Sequence, residues 1–485
     1  MKRDVLSSYA SQILNIGIRF FLIPIYLNHL GLSAYGVIAF YFSIESIMVL
    51  LDFGIGLTAA KTIAELKIQK NENLDFSIIK LAEVLYITIA FLIGGLIFLL
   101  DEIIGSKWLT IDDQNIDKTK IIKLMALLMF VSWPKSFYEN LLIGLGKIEL
   151  KNIINIFFLI IRSATLFFII TKVSRGLDAY FLILIVAFLS EVLVLRFFSL
   201  KELNIKFIMP SRQVILSFFR GAGSIGIFSV LSLFLFQVDK VVLSKFTSTS
   251  ELGMYGLSGV LPLALLSLVY PLSSAAFPRL VNIEKNDTAK YIFANWSFLL
   301  FSISLGFSVL LSLNYHFLIS IWLKEGTVIN NSILFIILIG VVFHVFTLIS
   351  TNLFIINGKN NLVYISYIYS ILIFAVTIFA IPTSIIYKVA TGWAFSNCTL
   401  FLLTAFFINK NYRFLFTVFY TDFVKLCVFY ALMFLFFFFL FRINNLSGLW
   451  QLIMSSLSIL LFYIYFFRNK LIFLISETKN NEIKA

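Results

Sequence analysis

Apolar stretches long enough to cross a bilayer follow one another from Val5 to Phe467, separated by short connectors. About 20 apolar residues span the hydrocarbon, and in lipid a backbone must satisfy its own hydrogen bonds, so such a chain folds as packed helices. With 60% of its 485 residues hydrophobic and 13% charged, it has too little polar surface to cover a soluble domain of this size. The pattern predicts an all-α polytopic membrane protein with spans near 5–27, 35–60, 76–100, 121–145, 153–171, 179–200, 214–246, 254–281, 291–323, 333–356, 362–387, 391–408, 423–440 and 449–467. That is about fourteen helices, with twelve as the alternative count, and the break near Pro382 is the least defined. Pro24, Pro134, Pro262 and Pro271 fall within spans and predict kinks.

The formal charge of +13 is distributed by topology. Lys61, Lys67 and Lys70, Lys147 and Lys151, Lys201, Lys206 and Arg212, and Lys410 and Arg413 occupy alternate connectors. The connector from Asp101 to Lys120 instead carries Asp101, Glu102, Asp112, Asp113 and Asp117. By the positive-inside rule both termini are expected in the cytoplasm and the acidic connector outside, and no nucleic-acid partner is expected. The basic start leads into a first span that reads as retained rather than as a signal peptide. Cys398 and Cys427 lack metal-ligand spacing and read as packing residues.

The chain contains itself twice. Arg19 precedes Tyr35-Gly36 by the same interval that separates Asp239 from Tyr255-Gly256. Asn-Leu-x-Ile-x-x-Gly-Lys at 140–147 recurs at 352–359. Two matches in similar register predict two six-helix lobes, 1–206 and 207–413, followed by two further helices and a tail over 414–485. Six is even, so the lobes enter from the same side as parallel repeats.

A charged side chain at mid-bilayer costs about 2.5–3.5 kcal/mol on insertion scales, so it faces water or a partner. Ser8, Gln12, Asn15 and Arg19 recur at helical spacing as one polar stripe, as do Tyr41, Glu45, Asp52 and Gly56. Glu139 one turn from Lys135, Arg162, Glu191, Arg220, Asp239 and Lys240 complete the set. Lys135 with Glu139 reads first as a structural pair, and Glu191 and Arg196 read equally as membrane-end residues. Adjacent helical residues point about 100° apart, so Asp239 and Lys240 need separate partners. Beyond Lys290 the spans carry almost no buried charge apart from His316 and His344, which predicts a lumen walled by the first lobe and the seventh helix.

The segment from Gln237 to Gly256, with Asp239, Lys240, Lys245-Phe246 and Glu251-Leu252-Gly253-x-Tyr255, resembles the seventh-helix region of Wzx-type polysaccharide-unit flippases. Arg19, Gly31-Leu32-Ser33-x-Tyr35-Gly36, Asp52-Phe53-Gly54 and Asn357-Gly358-Lys359 resemble that family too. The resemblance implies the fold of the multidrug/oligosaccharidyl-lipid/polysaccharide (MOP) exporters, with two lobes opening alternately to either side. It also implies an undecaprenyl-pyrophosphate-linked oligosaccharide substrate moved from the cytoplasmic to the periplasmic leaflet of the inner membrane. A polysaccharide polymerase and a chain-length regulator would be partners. Fourteen spans bring the topology nearer to the lipid II flippases. The expected roles follow from the substrate: Arg19, Arg220, Lys240 and Arg162 for the pyrophosphate, Glu45, Asp52, Asp239 and Glu139 as lumen acids or coupling groups, and Ser8, Gln12 and Asn15 as polar lining. No cofactor is expected; a proton gradient or the membrane potential would drive transport. A multidrug or toxin antiporter of the same superfamily is the nearest alternative. A membrane-embedded polymerase or lipid-linked glycosyltransferase is the alternative of another class, though no large loop is available to build it.

Overall fold

A computed structural model describes residues 2–50, 54–68, 77–173, 176–201, 203, 211–276, 280, 287–323, 329–444 and 448–462. Helix α1 (Lys2–Leu50) holds the first expected span and the second as far as Leu50, separated where Gly31 takes φ 86°, ψ 171°, a conformation closed to other residues. Gly54, at φ 75°, stands just before α2 (Ile55–Ile68), so the expected span 35–60 is interrupted there. After α3 (Ser77–Leu99) come one short turn, α4 (Asp101–Ile103), and a wider π turn at Ile104–Trp108. Asp117 then caps α5 (Lys118–Ser132), its carboxylate accepting the Lys120 N–H at 3.1 Å. Pro134 opens α6 (Pro134–Gly144), so the expected span 121–145 is divided into two helical pieces at its proline. Helices α7 (Ile148–Phe168), α8 (Leu177–Leu200), α9 (Arg212–Phe246) and α10 (Thr249–Ala276) follow.

The second half comprises α11 (Asp287–Trp322), α12 (Asn331–Ile356), α13 (Asn360–Ala380), α14 (Ile385–Asn411), α15 (Arg413–Asn444) and α16 (Gly448–Phe462). The boundary between α13 and α14 lies at 381–384, earlier than expected. Ile381 is extended (φ −88°, ψ 120°) because the residue before a proline is driven out of the helical region. Eleven helical segments among the described residues are long and apolar enough to cross a membrane, the first of them holding both spans of α1. The chain is therefore a multi-pass membrane protein. Its exposed apolar side chains, such as Leu99, Phe197, Phe379 and Leu432, are what helices present to lipid rather than to water.

The repeated Asn-Leu-x-Ile-x-x-Gly-Lys motif has one structural meaning. In the first copy Gly146 has φ 74°, and the Lys147 N–H reaches back to Leu142 O at 2.8 Å. In the second, Gly358 has φ 71° and the Lys359 N–H reaches Phe354 O at 2.8 Å. Both are Schellman caps: the glycine ends one helix and the lysine leads into the next.

By contacts the chain forms two compact units, Met1–Gly256 and Leu257–Ala485. In the first, α1 packs on α7 and α9, α2 on α6, and α5 and α6 on α8. Small residues permit the closest approaches: a Cβ at Gly144 would stand 2.5 Å from Ala60 O. In the second, α14 packs on α12 and α13, and α15 on α11 and α14.

Candidate functional site in the first unit

Within Met1–Gly256, helices α1, α7 and α8 enclose a cavity of about 240 Å³. Arg19 and Glu45 enter it from α1, Arg162 from α7, and the tyrosines Tyr26, Tyr35, Tyr41 and Tyr180 line its wall. The Tyr41 hydroxyl donates to Glu45 at 3.3 Å. Arg162 lies 4.3 Å above the Phe188 ring, and Arg19 lies 5.6 Å from that of Phe42. Among the described residues Arg19 forms no ion pair; it is the cation left open to the cavity.

Beside the cavity the other charges are paired. Glu191 is fully buried between Lys135 Nζ at 2.6 Å and Arg162 Nη1 at 3.3 Å. Lys135 also stands 3.7 Å from Glu139, which accepts from Asn155 at 2.8 Å. Arg162 and Lys135 are thus held by Glu191 and Glu139, and among the described residues neither Arg19 nor Glu45 belongs to that network of ion pairs. A charge buried so deeply in a low-dielectric interior persists only with its partner. A second buried carboxylate, Glu83, accepts from Lys80 at 2.6 Å, Arg196 at 2.8 Å and Tyr138 at 2.8 Å.

The comparisons with known proteins bear on this architecture. The family model described as polysaccharide biosynthesis protein matches residues 1–284, more than half of the chain and all of the charged unit. The chain belongs to the polysaccharide biosynthesis protein family. No curated protein matches its sequence. Among solved structures it is similar to the lipid II flippase MurJ in an inward closed conformation, at 16% identity and TM-score 0.72, over 97% of this chain and 99% of that one. It is also similar to an inward-facing multidrug-resistance MATE transporter of the MOP superfamily, at 13% identity and TM-score 0.65, over 84% and 94%. A third is a MOP superfamily transporter from Pyrococcus furiosus, at 14% identity and TM-score 0.59, over 85% and 96%. The expected MOP fold is the fold found.

In this polysaccharide biosynthesis protein the expected site residues fall into four groups. Arg19, Arg162 and Glu45 share the cavity, and Glu139 belongs to the adjoining network. Ser8 lies further along α1, where Asn152 Nδ2 bridges it to Ser7 at 2.9 Å each; Gln12 is exposed and Asn15 half-buried on the same helix. Asp239 and Lys240 stand apart from the cavity. Asp239 is buried and accepts from the Tyr255 hydroxyl at 2.7 Å, while Lys240 donates to Gln237 at 3.2 Å, so each has its own partner, as their divergence on the helix requires. Arg220 is on α9 with its side chain outside the described residues, and Asp52 lies outside them altogether.

The expected Lys135–Glu139 pair is present at 3.7 Å, but Lys135 makes its shorter bond to Glu191 at 2.6 Å, and of the two equal readings of Glu191 full burial favours the interior one. Tyr41 belongs to the expected stripe and Tyr35 to the repeated motif, whereas Tyr26, Tyr180 and Asn155 escape the sequence reading, because aromatic and amide residues are common in such helices. Only the concentration of hydroxyl-bearing rings on the helices that also carry Arg19 and Arg162 could have marked them.

A polar latch joins α1 to the start of α10 within the same unit. The Ser33 and Thr249 hydroxyls both donate to Asp112 Oδ1 at 2.7 Å, and the Thr249 N–H donates to Thr110 O at 2.9 Å. A Cβ at Gly36 would overlap Thr249 O, and one at Gly253 would stand 2.6 Å from Leu32 O. Gly36 belongs to the first copy of the repeated Tyr-Gly pair and Gly253 stands two residues before the second, and here the chain meets backbone to backbone. Burial alone would raise the Asp112 carboxyl, but hydrogen bonds from Ser250, Thr249 and Ser33 outweigh it and hold it at about 2.

Proposed function

We propose that the protein is a flippase for an undecaprenyl-pyrophosphate-linked oligosaccharide, moving it between leaflets by alternating access of two six-helix lobes, 1–206 and 207–413. The observation that carries this reading is Arg19, a cation open to a tyrosine-lined cavity and outside the ion pairs that hold Arg162 and Lys135 beside it. A pyrophosphate needs charge-assisted donors, which a guanidinium supplies in a planar fork, and sugars need hydroxyl partners that also offer an apolar face. Arg19 would take the phosphate first. Glu45, Asp52, Asp239 and Glu139 would balance the empty site or carry a coupling ion, and Arg162, Arg220 and Lys240 would complete the cationic path. The family match supports polysaccharide assembly as the setting, and the flippase and transporter neighbours support translocation as the task.

The proposed orientation places both termini in the cytoplasm of an inner membrane. An inside-negative potential then drives an anionic head outward by about 2.3 kcal/mol per charge per 100 mV, with proton antiport as the alternative source. A polymerase and its chain-length regulator would receive the product.

The test is complementation of cells lacking a polysaccharide flippase, with leaflet access of the lipid-linked glycan as readout and Arg19→Gln at matched expression. Restored export that falls in the variant supports the reading. Failure with every lipid-linked glycan, together with resistance to organic cations, would replace it with drug extrusion.

A further inference from the structure

A second recess lies away from the charged cavity, on the outside of the first unit. It is an open groove of about 870 Å³ between α3 and α5, at the end of these helices that meets the acidic connector. Its floor is apolar: Phe91, Phe98, Leu127 and Phe130 surround Gly94 and Gly95. The two glycines do different things. Gly94 seats α5, since a Cβ there would stand 3.0 Å from Phe130 Cβ and 3.1 Å from Ala126 O. Gly95, one residue and about 100° further round the helix, has nothing within 4 Å of the place a Cβ would take. A mid-helix glycine costs about 1 kcal/mol relative to alanine, and here no protein atom uses the space it leaves.

The end of the groove carries both signs of charge. Lys120 and Lys123 line it with Asp117. Lys123 pairs with Asp101 at 3.2 Å and lies 5.4 Å from the Phe98 ring centre, and Lys120 pairs with Asp178. Asp117 uses Oδ1 to cap α5, and among the described residues its carboxylate forms no ion pair, its charge acting only through space on Lys120. The carboxylates of Asp101, Asp117 and Asp178 outnumber the ammonium groups of Lys120 and Lys123, so a head that is only anionic meets no net attraction. A head with a phosphate and a primary amine can satisfy both, the phosphate on the half-exposed lysines and the amine on Asp117.

We infer that this groove is a binding site for one phospholipid bearing a phosphate and a primary amine, its chain laid along the bare face at Gly95 and its head held by Lys120, Lys123 and Asp117. The site is separate from the transport cavity, and it would anchor α3 to α5 where the connector that holds the Asp112 latch begins.

The experiment uses the full chain purified in mild detergent and native mass spectrometry with phosphatidylethanolamine, phosphatidylcholine and phosphatidylglycerol of identical chains. Retention of the primary-amine lipid is expected to exceed that of either other lipid by about tenfold, the worth of one charge-assisted hydrogen bond. Gly95→Leu fills the floor from a Cβ position with no protein atom within 4 Å and is expected to abolish retention at unchanged thermal stability. Asp117→Asn keeps a good helix cap but removes the charge, and is expected to bring the primary-amine lipid down to the level of phosphatidylcholine. Equal retention of the three lipids by the unaltered protein, or retention by Gly95→Leu equal to that of the unaltered protein, overturns the inference.

Discussion

The two units are built from the same kind of helix and filled with different chemistry. Among the described residues every buried Asp, Glu or Arg lies in Met1–Gly256, namely Glu83, Asp101, Arg162, Glu191 and Asp239. In Leu257–Ala485 the corresponding interior is aromatic. Phe301 of α11 lies 4.4 Å from Phe346 of α12, which lies 5.5 Å from Phe401 of α14, and Phe301 lies 5.1 Å from Phe419 of α15. Ring edges meeting ring faces hold that unit together at no desolvation cost. Charges in the first unit contribute little net stability, because pairing only offsets what burial costs. The difference teaches where to look for function: one interior is held together by packing, and the other keeps ionic groups that packing does not require.

Breaking the first interior should do most damage. Glu191→Ala leaves Lys135 and Arg162 buried without their shared carboxylate, and a loss of about 3–5 kcal/mol is expected by thermal or denaturant unfolding in detergent. Phe301→Ala in the second interior is expected to cost a similar or slightly smaller amount, about 3 kcal/mol, yet to leave transport per folded molecule unchanged in a reconstituted assay. Arg19→Gln should show the reverse, with unchanged stability and transport reduced about tenfold, since one charge-assisted contact to substrate is removed. If Phe301→Ala impaired transport per folded molecule as much as Arg19→Gln, the division between a packing unit and a working unit would fail.

Less of the site than of the fold was legible in the residues. Apolar runs located the helices, since lipid permits little else, and the glycine-lysine repeats correspond to caps of one geometry at 146 and 358. The stripe ending in Arg19 does reach the cavity. Spacing, however, reports only neighbours on one helix. It paired Lys135 with Glu139, whereas the stronger partner, Glu191, lies 56 residues away on another helix. The Asp112 latch was hidden for the same reason: its donors, Ser33 and Thr249, come from positions 216 residues apart.

The smallest effects belong to that latch. Ser33→Ala removes one of the hydroxyls on Asp112 and is expected to cost about 1 kcal/mol. The Asp112 carboxyl sits below its ordinary 3.8 at about 2, so the latch contributes fully above the ordinary value and is lost as pH falls through the lower one. Spin labels on α1 and the start of α10 should keep their separation down to about pH 4 and part below it, and Ser33→Ala should move that midpoint upward. A separation indifferent to acid would remove Asp112 from the contact.

The meeting of Gly36 with Thr249, and of Gly253 with Leu32, has a mechanical consequence. Where side chains interdigitate, parting two helices means pulling knobs out of sockets and repacking both surfaces. Here main chain rests on main chain, and the adjoining bonds run from hydroxyls to a carboxylate, groups for which water is a ready substitute. Such a seam can open like a zip, bond exchanged for bond, and reseal without either face having to find its shape again.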